Sequence, residues 1–318
     1  MRRTAALLML TALVAGCTDA PSAERPVAPP PSSPSGSTPA PVVPDPPAPR
    51  VSPDDVRVRT ATAAVRHLAD RVGPRPGTSP AYFRAAGWVQ RRFQELGWQV
   101  ERQQFPTPAG YSWNGPVDAG PSVNVLATRG DVRAGEPWLV VGAHLDTVVG
   151  SPGAEDNASG IGVLLAVAEA MAGRRTRLPV VLVAFGSEEP RGQGDAHHHY
   201  GSRAYVAALS PVQRRSLRGM ISLDRVGVGA AVPVGSPADD LDRPTRRVLA
   251  SARRAGVPTL PETGQRSSDH WSFARAGMPG VRLGSTPYAG YHSAGDVPDV
   301  VAADQLERTA RVVLAWLR

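Results

Sequence analysis

The chain has 318 residues, 42% of them hydrophobic, an ordinary content for a folded domain with a real core. Its formal charge of +7 comes from arginine alone, since no lysine occurs, and the arginines stand singly or in short groups. A nucleic-acid surface would gather charge on one face with aromatic residues interleaved. Pairs such as Arg174 with Arg175 and Arg253 with Arg254 instead close helix-like segments, where cations are favoured anyway, so no nucleic-acid partner is expected.

The first element in chain order is a targeting signal. Arg2 and Arg3 precede an apolar run from Ala5 to Val14, followed by Ala15, Gly16 and Cys17. The run falls short of the roughly 20 apolar residues that span a bilayer core of about 30 Å, so it reads as a cleaved secretory signal. Leu13-Val14-Ala15-Gly16-Cys17 resembles the lipobox of bacterial lipoproteins. That resemblance implies a signal peptide over 1–16, a lipid on Cys17, and an exported protein held on the cell membrane at its extracytoplasmic side. An ordinary signal cleaved near Ala15 is the alternative. Cys17 is the single cysteine, so disulfides contribute nothing to stability. From 17 to 53 the chain is dominated by Pro, Ala and Ser and reads as a disordered tether, with the folded domain expected over 54–318.

Within that domain, Tyr82, Ala85, Val89, Phe93 and Leu96 recur at helical spacing, and Gly97 follows as a helix stop. Trp138 to Val141, Val180 to Phe185 and Met220 to Leu223 are apolar runs of strand length, as in strands buried on both faces. Ile161, Leu164, Leu165, Ala168 and Ala172 share one helical face between the first two runs, and Leu306, Ala310, Val313, Leu314 and Leu317 mark a terminal helix. The alternation predicts an α/β fold: a single globular domain with a mixed, largely parallel central sheet flanked by helices.

Each apolar run is followed at once by acids or histidines. His144 and Asp146 follow the first, Glu188 and Glu189 the second, Asp224 the third. Ligands bind beyond the carboxyl ends of strands in open α/β sheets, so these side chains could meet in one crevice. Asp156 lies just before the second helical face, and His292 sits in a turn-rich stretch. Acids at strand ends are usually solvated and a lone histidine is usually structural. Together, two histidines and several carboxylates make a set suited to zinc, which takes imidazole and carboxylate ligands and in catalytic sites keeps a position for water.

The strings Ala143-His144-Leu145-Asp146-Thr147, Gly153-Ala154-Glu155-Asp156-Asn157-Ala158-Ser159-Gly160, Ser187-Glu188-Glu189, Leu223-Asp224, Ser268-Asp269-His270 and Tyr291-His292-Ser293 resemble, in order and spacing, the di-zinc aminopeptidase family of secreted bacterial exopeptidases. The resemblance runs from about Asp54 to the C-terminus. It implies two Zn²⁺ ions bridged by Asp156, with His144 and Asp224 on one and Glu189 and His292 on the other. It implies Glu188 as general acid/base and Tyr291 as the group that steadies the oxyanion. It also implies a cis peptide bond after Asp156. Asp146, two residues beyond His144, would support that imidazole through its carboxylate. The substrates implied are peptides with a free N-terminus, and a monomer is expected. Asp269 and His270 are read as structural, on a helix with Trp271, Phe273 and Ala274.

The sequence departs from the family between Pro190 and Tyr200, where Arg191-Gly192-Gln193-Gly194-Asp195-Ala196-His197-His198-His199 stands before Gly201-Ser202. It reads as a mobile polar loop in preference to a third metal site. A glutaminyl cyclase-like acyltransferase on the same fold is the nearest alternative activity, and a non-catalytic envelope binding protein is the alternative of another class.

Overall fold

The computed structural model describes residues 47–318 other than Asp131 and Ala134, and in it the chain joins its domain earlier than expected. Val51 is fully buried, and Arg175 donates its backbone N–H to the Pro49 carbonyl at 2.9 Å, so residues 49–53 pack as part of the domain. The signal peptide over 1–16, Cys17 and the tether as far as 46 lie outside the described residues.

Helix α1 (Val58–Arg66) runs on into a π-helical turn, His67–Val72, and then α2 (Pro80–Glu95). Ser79 caps α2 by accepting the Tyr82 N–H, with Pro80 in the first turn and Gly97 at φ 79° just beyond its end. Leu96 therefore falls past the last helical residue. Tyr82, Ala85, Val89 and Phe93 form its buried face.

Strand β1 (Gln99–Thr107) leads through a small hairpin, β2 (Gly110–Ser112) and β3 (Gly115–Val117), to β4 (Gly120–Thr128), which pairs antiparallel with β1. Then come β5 (Trp138–His144), α3 (Gly160–Ala170), β6 (Val180–Phe185), α4 (Tyr200–Ala208), α5 (Pro211–Ser216) and β7 (Leu217–Leu223). The chain closes with β8 (Val232–Gly235), α6 (Arg243–Arg254), β9 (Thr259–Glu262), α7 (His270–Arg275), β10 (Gly280–Leu283) and α8 (Ala303–Leu317). The sheet order is β1-β4-β6-β5-β7-β10-β8-β9. Its middle, β6-β5-β7-β10, is parallel, while β4 joins β6 and β8 joins β10 antiparallel.

Alternation divides the core into two layers. Leu139, Val141 and Leu182 face α1, α3 and α8, whereas Trp138, Val140, Val183 and Phe185 pack with Tyr205 of α4 and Phe273 of α7. Every residue of β5 and β6 is buried, which is why those strands read as unbroken apolar runs. Two expected boundaries shift: β5 extends to His144 and β7 begins at Leu217, while Ala172 lies beyond α3. Register sets β5 beside both neighbours, with His144 opposite Phe185 on β6 and Ala143 opposite Leu223 on β7. The residues that follow these three strands are thereby delivered to one edge of the sheet.

Candidate active site

At that edge a cleft is lined by His144, Asp156, Glu188, Glu189, Asp224 and His292, with Trp113, His198, Arg225 and Tyr291 around them. All six of the first group are buried. The two carboxylate oxygens of Asp156 face different histidines: Oδ1 lies 3.2 Å from His144 Nε2, and Oδ2 lies 3.2 Å from His292 Nε2. Asp224 Oδ1 stands 3.8 Å from His144 Nε2, and Glu189 Oε2 stands 3.4 Å from His292 Nε2. His144, Asp156 and Asp224 thus form one potential metal-binding group, and Asp156, Glu189 and His292 a second that shares Asp156. Glu188, with Oε2 4.0 Å from His144 Nε2, forms a third such group with His144 and Glu189.

Local sequence explains how Asp156 is held between these groups. Its peptide bond to Asn157 is cis. Asn157 donates to the Leu223 carbonyl at 2.8 Å and accepts the N–H of Gly160 and of Arg225, which ties the Asp156 turn to the end of β7. Ser159 accepts the Val226 N–H. A side chain on Gly160 would meet the Leu223 carbonyl at 2.6 Å, so this position needs glycine for close approach. The Asn-Ala-Ser-Gly string is therefore a fastening between two loops.

Three further residues position the cleft, and the sequence reading gave none of them a role. Asp296 accepts the N–H groups of Glu155 at 2.7 Å and Asp156 at 3.0 Å. Glu155 is itself buried and takes the N–H groups of Gly227 and Val228. Arg75 is fully buried and donates to the carbonyls of Leu145, Pro152 and Gly153, as well as Leu68 and Gly73, so one guanidinium joins the loop after β5 to the loop before Asp156. Its setting, Gly73-Pro74-Arg75-Pro76-Gly77, is the one available sequence signal, because an arginine between two prolines cannot sit in a helix interior.

Asp146 is placed differently from expectation. The strand ends at His144, so the two-residue alternation no longer applies. The imidazole Nδ1 faces the Asp146 backbone carbonyl at 3.2 Å, while the carboxylate is 3.8 Å away. The carboxylate instead accepts the backbone N–H groups of Glu188 at 3.0 Å and Glu189 at 3.2 Å. Asp146 thus orients the two glutamates.

The insertion is also corrected. It is tied down at both ends: His199 donates its backbone N–H to the Glu188 carbonyl, and Arg191 its own to the His197 carbonyl. The buried Arg191 guanidinium donates to the carbonyls of Pro108 and Asp118. The buried His199 ring places Nε2 3.1 Å from Glu188 Oε1, whereas His197 is exposed and His198 half-buried. Asp269 and His270 are buried at the head of α7, His270 Nε2 lying 2.7 Å from the Gln265 carbonyl.

The electrostatics fit this donor set to cations. Burial, aided by neighbouring carboxylates, pushes Glu188 and Glu189 each up to about 8. Burial alone would lower His144 and His292, yet the surrounding carboxylates raise both, His292 to about 10. Asp156 is held well below its ordinary value because contacts with the two histidines outweigh its burial. Glu189 Oε1 and His292 Nδ1 are buried without a hydrogen-bond partner among the described residues. A crowded, buried set of acids and imidazoles with unspent lone pairs suits divalent ions. A hollow of about 600 Å³ lined by Arg177, Arg218, Arg247 and Trp316 has no acidic or histidine side chain in its lining, and one of about 640 Å³ lined by Asp54, Asp55, Glu95 and Glu169 has no histidine.

Several known proteins are similar to this chain. The chain is similar to aminopeptidase YwaD of Bacillus subtilis, 28% identical over 205 residues, or 61% of this chain and 44% of that one. It is 30% identical over 178 residues to the uncharacterized protein YfbL of Escherichia coli, covering 53% of this chain and 50% of the relative. The chain thus spans about half the length of these two curated relatives. Among solved structures, a zinc aminopeptidase from Bacillus subtilis superposes with a TM-score of 0.73 at 17% identity, over 82% of this chain and 94% of that one. A glutaminyl cyclase from Porphyromonas gingivalis gives 0.70 at 20% identity, over 83% and 98%. Identities so low establish a shared fold. Residues 124–317, from the middle of β4 to the last turn of α8, match Peptidase family M28 and take in His144, Asp156, Glu188, Glu189, Asp224 and His292; the chain belongs to that family.

Proposed function

We propose that this protein is a metal-dependent aminopeptidase that removes N-terminal residues from peptides, using two zinc ions. The observation that carries the reading is the divided carboxylate of Asp156, whose two oxygens face two different histidine–carboxylate groups. His144 and Asp224 would complete one ion's ligands, and Glu189 and His292 the other's, with Asp156 between them. Bound zinc supplies a Lewis acid for the scissile carbonyl and brings the pKa of a water to about 7.

The remaining work falls to side chains of the chain. Glu188 takes the proton of the attacking water on its carboxylate and returns it to the leaving amine. Its backbone is fixed by Asp146, so the carboxylate approaches from one direction. Tyr291, which lines the cleft and stacks on His292 with centroids 3.7 Å apart, would steady the developing oxyanion with its hydroxyl. The acidic cleft also suits the substrate's cationic free amine, which limits cleavage to the N-terminus. The enzyme would act outside the cytoplasm as a monomer, held at the membrane by lipid on Cys17.

Mass analysis of products tests the reading. Zinc-loaded protein incubated with peptides of defined sequence should release single N-terminal amino acids, and chelator should stop it. A glutaminyl cyclase would release ammonia from N-terminal glutamine and shorten nothing. That outcome, or no reaction with any peptide at full zinc loading, would overturn the proposal.

A further inference from the structure

The buried arginines Arg75, Arg191 and Arg282 spend both terminal guanidinium nitrogens on the protein. Arg75 serves five carbonyls; Arg191 serves two carbonyls and a hydroxyl; Arg282 donates to Ser267 and Gln265. Arg225, partly buried, differs from them. Its side chain is 15% exposed and lines the same cleft as the metal-binding groups, yet none of its N–H groups makes a hydrogen bond to a described residue. Its nearest acid contact, Nε to Asp224 Oδ1, is 3.6 Å, too long for a hydrogen bond.

The guanidinium is nevertheless fixed in place. It lies over the Tyr291 ring with Cζ 4.4 Å from the centroid, a cation–π arrangement that holds its plane. Its backbone has φ 54°, an uncommon conformation for a long side chain, and is clamped by N–H donation to Asn157 Oδ1 and by acceptance of the Ser285 N–H at 2.8 Å. A flat cation is thus pre-oriented beside the reacting groups with its hydrogen-bonding fork unspent. Such a fork matches a carboxylate, which it can grip with two parallel N–H···O bonds. A polyanion would meet the four cleft carboxylates, whereas a single carboxylate on a small substrate can reach Arg225 alone.

We propose that Arg225 is a substrate-carboxylate subsite, so that this enzyme prefers peptides bearing a carboxylate within one residue of the scissile bond. The inference rests on the aminopeptidase reading. The carboxylate could be the side chain of either of the first two residues or the C-terminus of a dipeptide.

Four peptides separate these sources: neutral Leu-Asn-NH₂ as reference, Asp-Asn-NH₂, Leu-Asp-NH₂ and Leu-Asn with a free C-terminus. In wild type, at least one carboxylate position should raise kcat/KM roughly 10- to 100-fold over the reference, the usual worth of a charged hydrogen-bonded contact. Arg225→Met should bring that ratio close to one, and Arg225→Glu should turn it below one, an inversion that misfolding cannot produce. Ratios within about twofold of one at every position in wild type, or a preference that survives in Arg225→Met, would overturn the subsite. Should wild type hydrolyse none of the four, the aminopeptidase reading falls. Calorimetric affinities of the Glu188→Gln variant for the same peptides then still decide whether Arg225 selects carboxylates.

Discussion

At the scale of single residues, two adjacent glutamates of identical chemistry have different surroundings, and the proposed reading gives them different work. Both fall within potential ligand groups, but Glu189 points at His292 and Asp156, while Glu188 stands between His144 and His199. Glu188→Gln keeps size and polarity but removes the base, so both metals should stay bound while turnover falls about 10²- to 10⁴-fold. Glu189→Gln removes an anionic ligand, so metal content should drop toward one ion per chain and added zinc should partly restore activity. Metal analysis beside kcat checks both; equal metal loss in the two variants would contradict the division. The side chains that carry chemistry were legible in the sequence because each follows an apolar run or a specific string. Asp146 was legible as a member of the site but not in its partner, because where β5 ends decides which way its carboxylate turns. Arg225 was invisible, since an arginine after an aspartate acquires meaning only from the ring it lies on.

At the scale of elements, the cleft is made of loops that no single strand or helix would hold. The six described non-glycine residues with positive φ, Trp113, Ser187, His199, Arg225, Ser285 and His292, all border the cleft or brace it, so uncommon backbone is concentrated where function is proposed. Arg75 is the largest single brace. Arg75→Met should strand several buried carbonyls and destabilise the domain by at least about 3 kcal/mol. Calorimetry should then show Tm lowered by roughly 6 °C or more. Close glycines reinforce the same joints: a side chain at Gly77 would collide with Ser187, the residue before Glu188. The central parallel strands were readable because burial on both faces leaves continuous apolar runs. The antiparallel flanks were not: β1 is largely exposed and β8 and β9 are four residues each, too short for a period to show.

At the scale of the molecule, the acidic cleft links stability to metal and to pH. In metal-free protein, Glu188 and Glu189 titrate at about 8 against an ordinary 4.5, and His292 at about 10 against 6.5. Groups whose pKa is raised by folding stabilise the fold below their unfolded value and lose that contribution as pH rises through the folded one. Chelated protein should therefore lose stability between about pH 5 and about pH 9, while zinc-loaded protein should lose less, because ligand binding to the native state adds RT ln(1 + [L]/Kd). Thermal unfolding of both forms across that range is the measurement, and parallel curves would refute the link. Anchoring belongs to the same scale: wild type should partition with membranes and Cys17→Ala should stay unprocessed or be released, as cell fractionation would show.

By itself the sequence determined the order of buried strands and the identities of the side chains that could ligate metal, because apolar period and residue chemistry are local properties. Only the tertiary structure decided that Asp156 shares its two oxygens between two histidines, that Asp146 holds glutamate backbones, and that the inserted segment closes against Glu188. These are contacts between residues from about ten to more than a hundred positions apart, set by the register of β5 with β6 and β7 and by buried polar groups that must find partners wherever the fold brings them.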